Sequence, residues 1–417
     1  MRWLTDVIYL IVLILTAPVW LTKMAIRGKL RTDWAGRLGC VARVHASDGR
    51  RRILIHAVSV GEVNAVRSLV SRLESRADLE LVIASTTDTG FTRAESLYGD
   101  RHHVVRYPLD LSWCVRRFLR RIHPAVACLV ELEVWPNFMS QCDRIDCPVM
   151  VINGRLSQRS FRRYRLIRLL LRSSFRRVRQ ALVQNDVYAE RFKSMGVLAG
   201  SVSVVGSLKW DNATPDHHSS EVLAKELGID ADRLLIVAGS TSPGEHELLH
   251  AAVPPDVQLL CAPRRPEWFD GAATVLDGCT RRSTGHTGGN PDRYLLDTIG
   301  ELSQAYALAD IVVIGRSFGT LHGSDVSEPA GLGKPVVVGP AVDDFRDIVD
   351  ILLSKEAMIQ CNRQELAGVL HELIDSSQLR SDLSHRSMEV MKGLGGASLA
   401  TEEAICSMVD DSSVEKK

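Results

Sequence analysis

Short apolar runs rich in β-branched residues recur along this chain, each followed by a stretch of helical period. That rhythm leaves few folds open. Residues 53–57, 79–85, 104–107, 125–131, 149–152, 181–184 and 202–205 read as strands, with helical stretches such as 63–76, 90–97 and 111–122 between them. Alternation of this kind belongs to a parallel sheet covered by helices. A polar, turn-rich segment, K-W-D-N-A-T-P-D-H-H-S-S at 209–220, interrupts it. The rhythm then restarts with strands at 234–238, 258–262, 311–314 and 335–338 and helices such as 244–252 and 303–309. The spacing predicts two successive α/β domains of similar size and a bilobal enzyme with its cleft between the lobes. A chain of 417 residues is long enough for both. Residues 364–409 read as helices and 410–417 as a frayed tail.

The first residues have another character. From Val7 to Trp20 the chain is uncharged (V-I-Y-L-I-V-L-I-L-T-A-P-V-W), and Lys23, Arg27, Lys29 and Arg31 follow. With its flanks the run approaches the ~20 residues that span a bilayer. A weakly basic start and a missing A-x-A site argue against a cleaved signal peptide. The expectation is an uncleaved anchor over 1–22, with the remainder cytoplasmic by the positive-inside rule. Nine scattered cysteines without a C-x-x-C pair suit a reducing compartment. A net charge of +1 gives no global basic excess to suggest nucleic acid. Charge is unevenly placed, however: ten arginines lie in 155–179, interleaved with Leu166, Ile167, Leu169, Leu170, Leu171, Phe175 and Val178. That pattern reads either as a basic amphipathic helix facing an anionic membrane or polyanion, or as a solvated helix packed on a core. Arg116, Arg117, Arg120 and Arg121 form a second basic cluster.

Candidate chemistry gathers where strands end. In I-L-I-H-A-V-S-V-G-E (53–62), the order of residues predicts Gly61 in a tight turn and Glu62 at a helix start. Ligands bind at that edge of open α/β sheets. A carboxylate there suits either a general base or a partner of the helix dipole. In E-L-E-V-W-P-N (131–137), strand alternation would send Glu131 and Glu133 to one side, as a functional pair or as one half of a loop-closing ion pair. Lys209 in G-S-L-K-W-D (206–211) can reach a cleft. Arg264 and Arg265 in C-A-P-R-R-P-E (261–267) suit phosphate or carboxylate. Asp297 to Leu302, Gly315 to Phe318 and Gly323 to Ala330 are small-residue loops opening onto helices, where backbone N–H groups can hold anions and Glu328 could hold ribose hydroxyls. The chain has no G-x-G-x-x-G fingerprint, no Walker A motif and no H-E-x-x-H cluster, so no metal site and no cofactor is expected.

In order, H-A-V-S-V-G-E-V (56–63), S-T-T-D-T-G (85–90), Y-P-L-D (107–110), E-L-E-V-W-P-N (131–137), N-G-R-L-S-Q-R-S (153–160), V-G-S-L-K-W-D (205–211), A-G-S-T (238–241), P-R-R-P-E (263–267), G-E-L (300–302) and E-P-A-G-L-G-K-P-V-V-V-G-P (328–340) resemble the bacterial Kdo transferases. These enzymes add 3-deoxy-D-manno-octulosonic acid (Kdo) to lipid A precursors. The resemblance runs to about residue 350.

It implies a GT-B architecture: two Rossmann-like domains facing across a cleft, behind an N-terminal membrane anchor helix. The expected boundaries are an anchor at 1–22, an acceptor domain at 23–208, a linker at 209–220, a donor domain at 221–390 and a C-terminal helix and tail at 391–417. It implies a metal-independent, inverting glycosyltransferase of lipopolysaccharide assembly, moving Kdo from CMP-Kdo to lipid IVA. The setting would be the cytoplasmic face of a Gram-negative inner membrane, contacted through 1–22 and the 155–179 surface. By position the catalytic base falls on Glu62 and the transition-state stabilisers on Glu131 and Lys209. CMP contacts fall on Arg264, Arg265, Ile299, Gly300, Glu301, Asp325, Val326, Ser327 and Glu328. The chain departs from the family's G-G-H-N-P-L-E-P, carrying H-G-S-D-V-S-E-P at 322–329, and has Arg265 where P-R-H-P has histidine. Asp325 would put a carboxylate beside a nucleotide phosphate. Two other readings stay open: a GT-B transferase using a UDP-sugar on a lipid acceptor, and a membrane-anchored binding protein with a decayed donor site.

Overall fold

A computed structural model describes residues 32–44, 49–212, 217–285, 289–290 and 292–414, with 6–7, 9–11, 14–19 and 22 of the N-terminal segment. The chain forms two compact units, Met1–Asp211 with Gly395–Lys417, and Asn212–Leu394.

The first unit is built on seven strands: β1 (Arg51–His56), β2 (Leu79–Ser85), β3 (His103–Arg106), β4 (Val126–Val130), β5 (Val149–Gly154), β6 (Val178–Val183) and β7 (Val202–Val204). They pair in parallel in the order β3-β2-β1-β4-β5-β6-β7. Period-2 alternation sorts their side chains to two cores. Leu54, Ala127 and Leu129 join Phe118, Phe138, Phe175 and Phe192 on one face. Ile53, Ile55, Val126, Cys128 and Val130 join Leu69, Leu73 and Tyr98 on the other. Both faces are covered, so the strands read as unbroken apolar runs.

The second unit repeats the plan with β8 (Leu235–Thr241), β9 (Gln258–Pro263), β10 (Thr280–Arg281), β11 (Arg293–Leu295), β12 (Ile311–Ile314), β13 (Val336–Val338) and β14 (Ile359–Gln360), ordered β10-β11-β9-β8-β12-β13-β14. The two- and three-residue strands β10, β11 and β14 were not among those expected. They are too short for a hydrophobic period to show.

Several expectations change. The 155–179 stretch is not one helix. Helices Gln158–Leu166 and Arg168–Phe175 break at Ile167 (φ −109°, ψ 18°), and Val178 opens β6. Leu166 and Leu169, each 86% exposed, lie outside the core, whereas Phe175 and Val178 are inside it. Within 209–220, Lys209 to Asn212 belong to the 3-10 turn Leu208–Asn212, and the helix His217–Leu227 begins before the segment ends. Residues 410–414 extend the last helix, Ala397–Val414, instead of fraying. The anchor expected over 1–22 falls partly on residues outside the described set, and among the described residues no helix is long and apolar enough to cross a membrane. Its described part is pinned to the first unit. Asp6 accepts from the Ser112 N–H and from Asn137 Nδ2, both at 2.9 Å, and the Tyr9 hydroxyl bonds Asp110. Ile14 and Leu15 remain largely exposed.

The last helix returns to the first unit and buries Ala397, Ile405 and Val409 in its core. Asp211 caps its start, accepting from the N–H groups of Gly396 (2.7 Å) and Ser398 (2.6 Å). Replacing such a cap with alanine leaves two donors unsatisfied. Asp211→Ala should therefore lower stability by about 1–2 kcal/mol, read as a lower urea midpoint at unchanged m-value, and Asp211→Asn, with one acceptor oxygen in place of two, should recover only part of the loss.

Candidate active site

In the first sheet β1 and β4 are neighbours, with β2 beyond β1 and β5 beyond β4. The strand order reverses between them, and a crevice opens outside their carboxyl ends. Glu62 follows β1 and Glu131 follows β4, so the fold brings both to that crevice.

The helix Val60–Ala65 begins at Ser59, which has extended backbone. The Glu62 carboxylate folds back over this first turn, accepting from the Val58 N–H (2.8 Å) and the Ser59 hydroxyl (3.0 Å). The arrangement resembles a capping box. Gly61 is not in a tight turn: it lies in the helix and is exposed, and a Cβ there would approach no atom closer than 3.9 Å. Local sterics therefore leave the space at Gly61 open. Burial pushes the Glu62 carboxyl up to about 7, and the charges of Glu131 and Glu133 push the same way against the bonds from Val58 and Ser59.

β4 ends at Val130, and Glu131 adopts a left-handed conformation (φ 59°) while its N–H donates to Ile152. The alternation that would have aligned Glu131 with Glu133 stops there. A glutamate held in that region costs about 1 kcal/mol or more. Glu133 accepts from Trp135 Nε1 at 2.6 Å, and burial, helped by Glu131, pushes its carboxyl up to about 7. Among the described residues none of the three glutamates forms an ion pair. Asp110 fills the N-terminus of the helix Pro136–Arg144, accepting from Asn137 and Phe138 N–H, and its carboxyl is also pushed up to about 7 by burial.

Lys209 reaches the same edge through a residue not singled out from the sequence. Asn153, fully buried with φ 51°, is the penultimate residue of β5. Its Oδ1 accepts from the Leu208 N–H (3.1 Å), Gln184 Nε2 (3.1 Å) and the Ser207 hydroxyl (3.4 Å). These bonds draw the loop after β7 back across the end of β6 to β5, next to the strand that delivers Glu131. Its one legible signal was an Asn-Gly pair at a strand end, since asparagine tolerates φ > 0. Two apolar pockets border the site. One of about 230 Å³ lies among Tyr9, Leu10, Tyr107, Pro108 and Trp135; another of about 270 Å³ lies among Leu132, Val134, Trp135, Ile167 and Leu171.

The second sheet reverses its order between β8 and β12. Gly315 passes so close to Thr241 that a Cβ would lie 2.5 Å from its Cα. Glu245, also unexpected from the sequence, is buried and binds both strand-end loops. It accepts from the N–H groups of Ser242 (2.8 Å), Arg316 (2.7 Å) and Phe318 (3.0 Å). Arg264 is exposed, its N–H donating to the Thr241 carbonyl (3.0 Å), and its guanidinium has no ion pair among the described residues. Arg265 lies over Trp268 and pairs with Glu267 at 3.5 Å. Glu301 is held by Arg282 and Thr298, beside Gly300 (φ 102°) and the exposed Ile299. Asp325 turns onto its own helix start, accepting from the Ser327 N–H and hydroxyl. The carboxylate thus occupies the Ser327 N–H and hydroxyl at the start of the short helix Ser327–Gly331. Val326 and Ser327 are buried, and Glu328 is partly exposed.

The family model described as 3-Deoxy-D-manno-octulosonic-acid transferase (kdotransferase) matches residues 32–212. A 3-deoxy-D-manno-octulosonic acid transferase of Bordetella pertussis is 33% identical over 317 residues, covering 71% of this chain and 72% of that protein. The chain belongs to the Kdo transferase family. A 3-deoxy-D-manno-octulosonic acid transferase of Haemophilus influenzae is 29% identical over 359 residues, covering 83% of this chain and 84% of that protein. A putative UDP-N-acetylglucosamine 2-epimerase from Listeria monocytogenes has the same two-domain α/β fold (TM-score 0.61, 13% identity, 87% of this chain and 97% of that one). The family match includes Glu62, Glu131, Asn153 and Lys209.

The raised proton affinities have a consequence for stability. A carboxyl at about 7 in the folded chain and 4.5 when unfolded contributes stability that is full below 4.5 and lost as pH rises through 7. Unfolding free energy should therefore fall between pH 5 and 8.5, and Glu62→Gln should flatten that fall and be the more stable protein at pH 8.5. Urea titrations at the two pH values check this.

Proposed function

We propose that this member of the Kdo transferase family moves Kdo from CMP-Kdo to a lipid A precursor, lipid IVA, in lipopolysaccharide assembly. Glu62 is its general base. The observation that carries the reading is Glu62 itself: a half-buried carboxylate at the strand-order reversal, with a proton affinity near neutrality, beside open space at Gly61. A base poised near the working pH can take a proton and release it again.

In this reading the acceptor hydroxyl gives its proton to Glu62 as its oxygen bonds the anomeric carbon of Kdo. The bond from that carbon to the CMP phosphate breaks, and its electron pair leaves with CMP. Attack opposite the leaving group inverts the configuration. Positive charge gathers on the sugar and negative charge on the departing phosphate. Glu131 is assigned to the first, and Lys209 and Arg264 to the second. No step requires a metal. The donor contacts proposed in the second unit narrow to Arg264, Arg265, Ile299, Gly300, Glu301 and Glu328, because Asp325 and Ser327 bond each other and Val326 is fully buried. The proposed arrangement is the GT-B one.

A lipid acceptor is supported by the apolar pockets around Trp135, whose indole reaches Glu133. Exposed Leu166, Leu169 and Leu170, interleaved with arginines, support docking on the cytoplasmic face of the inner membrane together with residues 1–22.

Incubation of purified protein with CMP-Kdo and lipid IVA, read by mass spectrometry, tests the reaction. The expected product carries one or more added Kdo units. Transfer from a UDP-sugar, or from neither donor, contradicts the reading. Glu62→Gln should fold normally and lower kcat by about 10²–10⁴ with KM little changed, and wild-type kcat/KM should rise with pH through about 7.

A further inference from the structure

The opposite edge of the first sheet, where β1 and β4 begin, carries a cavity of about 720 Å³ with no acidic residue in its lining. Six arginines line it. Two are neutralised internally: Arg52 by Glu80 at 2.6 Å and Arg51 by Asp410 at 2.9 Å. The guanidinium groups of the other four, Arg50, Arg116, Arg120 and Arg144, have no hydrogen bond or ion pair among the described residues. Helical spacing explains how two of them come together. Arg116 and Arg120 stand four apart on one face of the helix Ser112–Ile122. Arg117 and Arg121 on the next face turn away, to Cys40 Sγ (2.8 Å) and the Val41 carbonyl (2.7 Å).

A second observation is independent of charge. Gln141, which also lines the cavity, is 3% exposed, and its Nε2 has no acceptor. A buried amide donor without a partner is costly, and native structures rarely keep one unused. The cavity thus offers four unpaired cations and an unused amide, all donors. A single carboxylate cannot engage so many, whereas adjacent phosphate groups present many oxygens and several negative charges to guanidinium forks.

We propose that this cavity binds a small anion carrying two or more linked phosphate groups. The six residues of β1 separate it from the edge that holds Glu62, roughly 20 Å at strand rise. It is therefore a site apart from the strand ends that hold Glu62, and it stands whether or not the transferase reading holds.

Calorimetric titration of the full-length protein with sodium pyrophosphate, and separately with inorganic phosphate, tests it. Pyrophosphate should bind at one site that survives Arg264→Ala, and inorganic phosphate should bind that site at least about tenfold more weakly. Arg116→Ala with Arg120→Ala, both exposed positions, should weaken it by about tenfold or more. Alanine at the exposed Lys225 and Lys355 should leave it unchanged. Gln141→Leu should weaken it without lowering the melting temperature, since it removes an unsatisfied donor. Retained affinity in the double arginine variant overturns the proposal, as does complete loss in Arg264→Ala. Equal weakening in the lysine control would mean unspecific charge binding and also overturns it. So does the lipid-surface outcome: no pyrophosphate binding in solution, with binding to phosphatidylglycerol vesicles lost in the double arginine variant.

Discussion

Parallel strands make their turns outside the sheet, and where the order of strands reverses the chain must leave on both sides at once. Between β1 and β4 this opens a crevice that backbone alone does not fill. Placement of the candidate chemistry depends on that constraint. Glu62 reaches the crevice because β1 ends at His56 and a capped helix begins at Val60. Glu131 reaches it because β4 ends one residue earlier, and Lys209 because Asn153 draws its loop back across the strand ends.

Three glutamates share one edge and none forms an ion pair among the described residues; Glu62 and Glu133, with raised proton affinities, destabilise the fold at neutral pH, and the chain retains them. Burial is the largest influence on Glu62 and Glu133; hydrogen bonds from Val58 and Trp135 oppose it, and repulsion from Glu131 adds less. Glu62 and Glu133 therefore exchange protons near neutrality, where an isolated glutamate would stay ionised. The hydrogen bonds from Val58 and Ser59 oppose the shift and fix the orientation of the Glu62 carboxylate. The helix-dipole reading and the general-base reading are therefore compatible: the capping geometry that satisfies the helix start also aims the base.

Much of this was legible in the sequence. Apolar runs of four residues or more announced the long strands, and the order of the motifs announced the family. Chemistry that depends on backbone conformation was not legible. The left-handed turn at Glu131 cancelled an inference from strand alternation, and nothing in E-L-E signals it. Asn153 and Glu245 work through buried hydrogen bonds to segments 55 and 71 residues away, which no local pattern records. Asp325 looked hostile to a phosphate as a bare charge, and the structure shows its carboxylate hydrogen-bonded to the Ser327 turn. The clustered arginines divided by helical face: Arg117 and Arg121 turn to hydrogen-bond partners, whereas Arg116 and Arg120 have none among the described residues.

The central claim is that the fold raises the proton affinity of one particular carboxyl. Carbon-13 NMR of glutamate-labelled protein, titrated from pH 4 to 9 and compared with Glu62→Gln, measures this directly. The account predicts a carboxyl resonance titrating near 7 that is missing from the variant. If the resonance lost in the variant titrates near 4.5, Glu62 is an ordinary helix-capping carboxylate and the account is wrong.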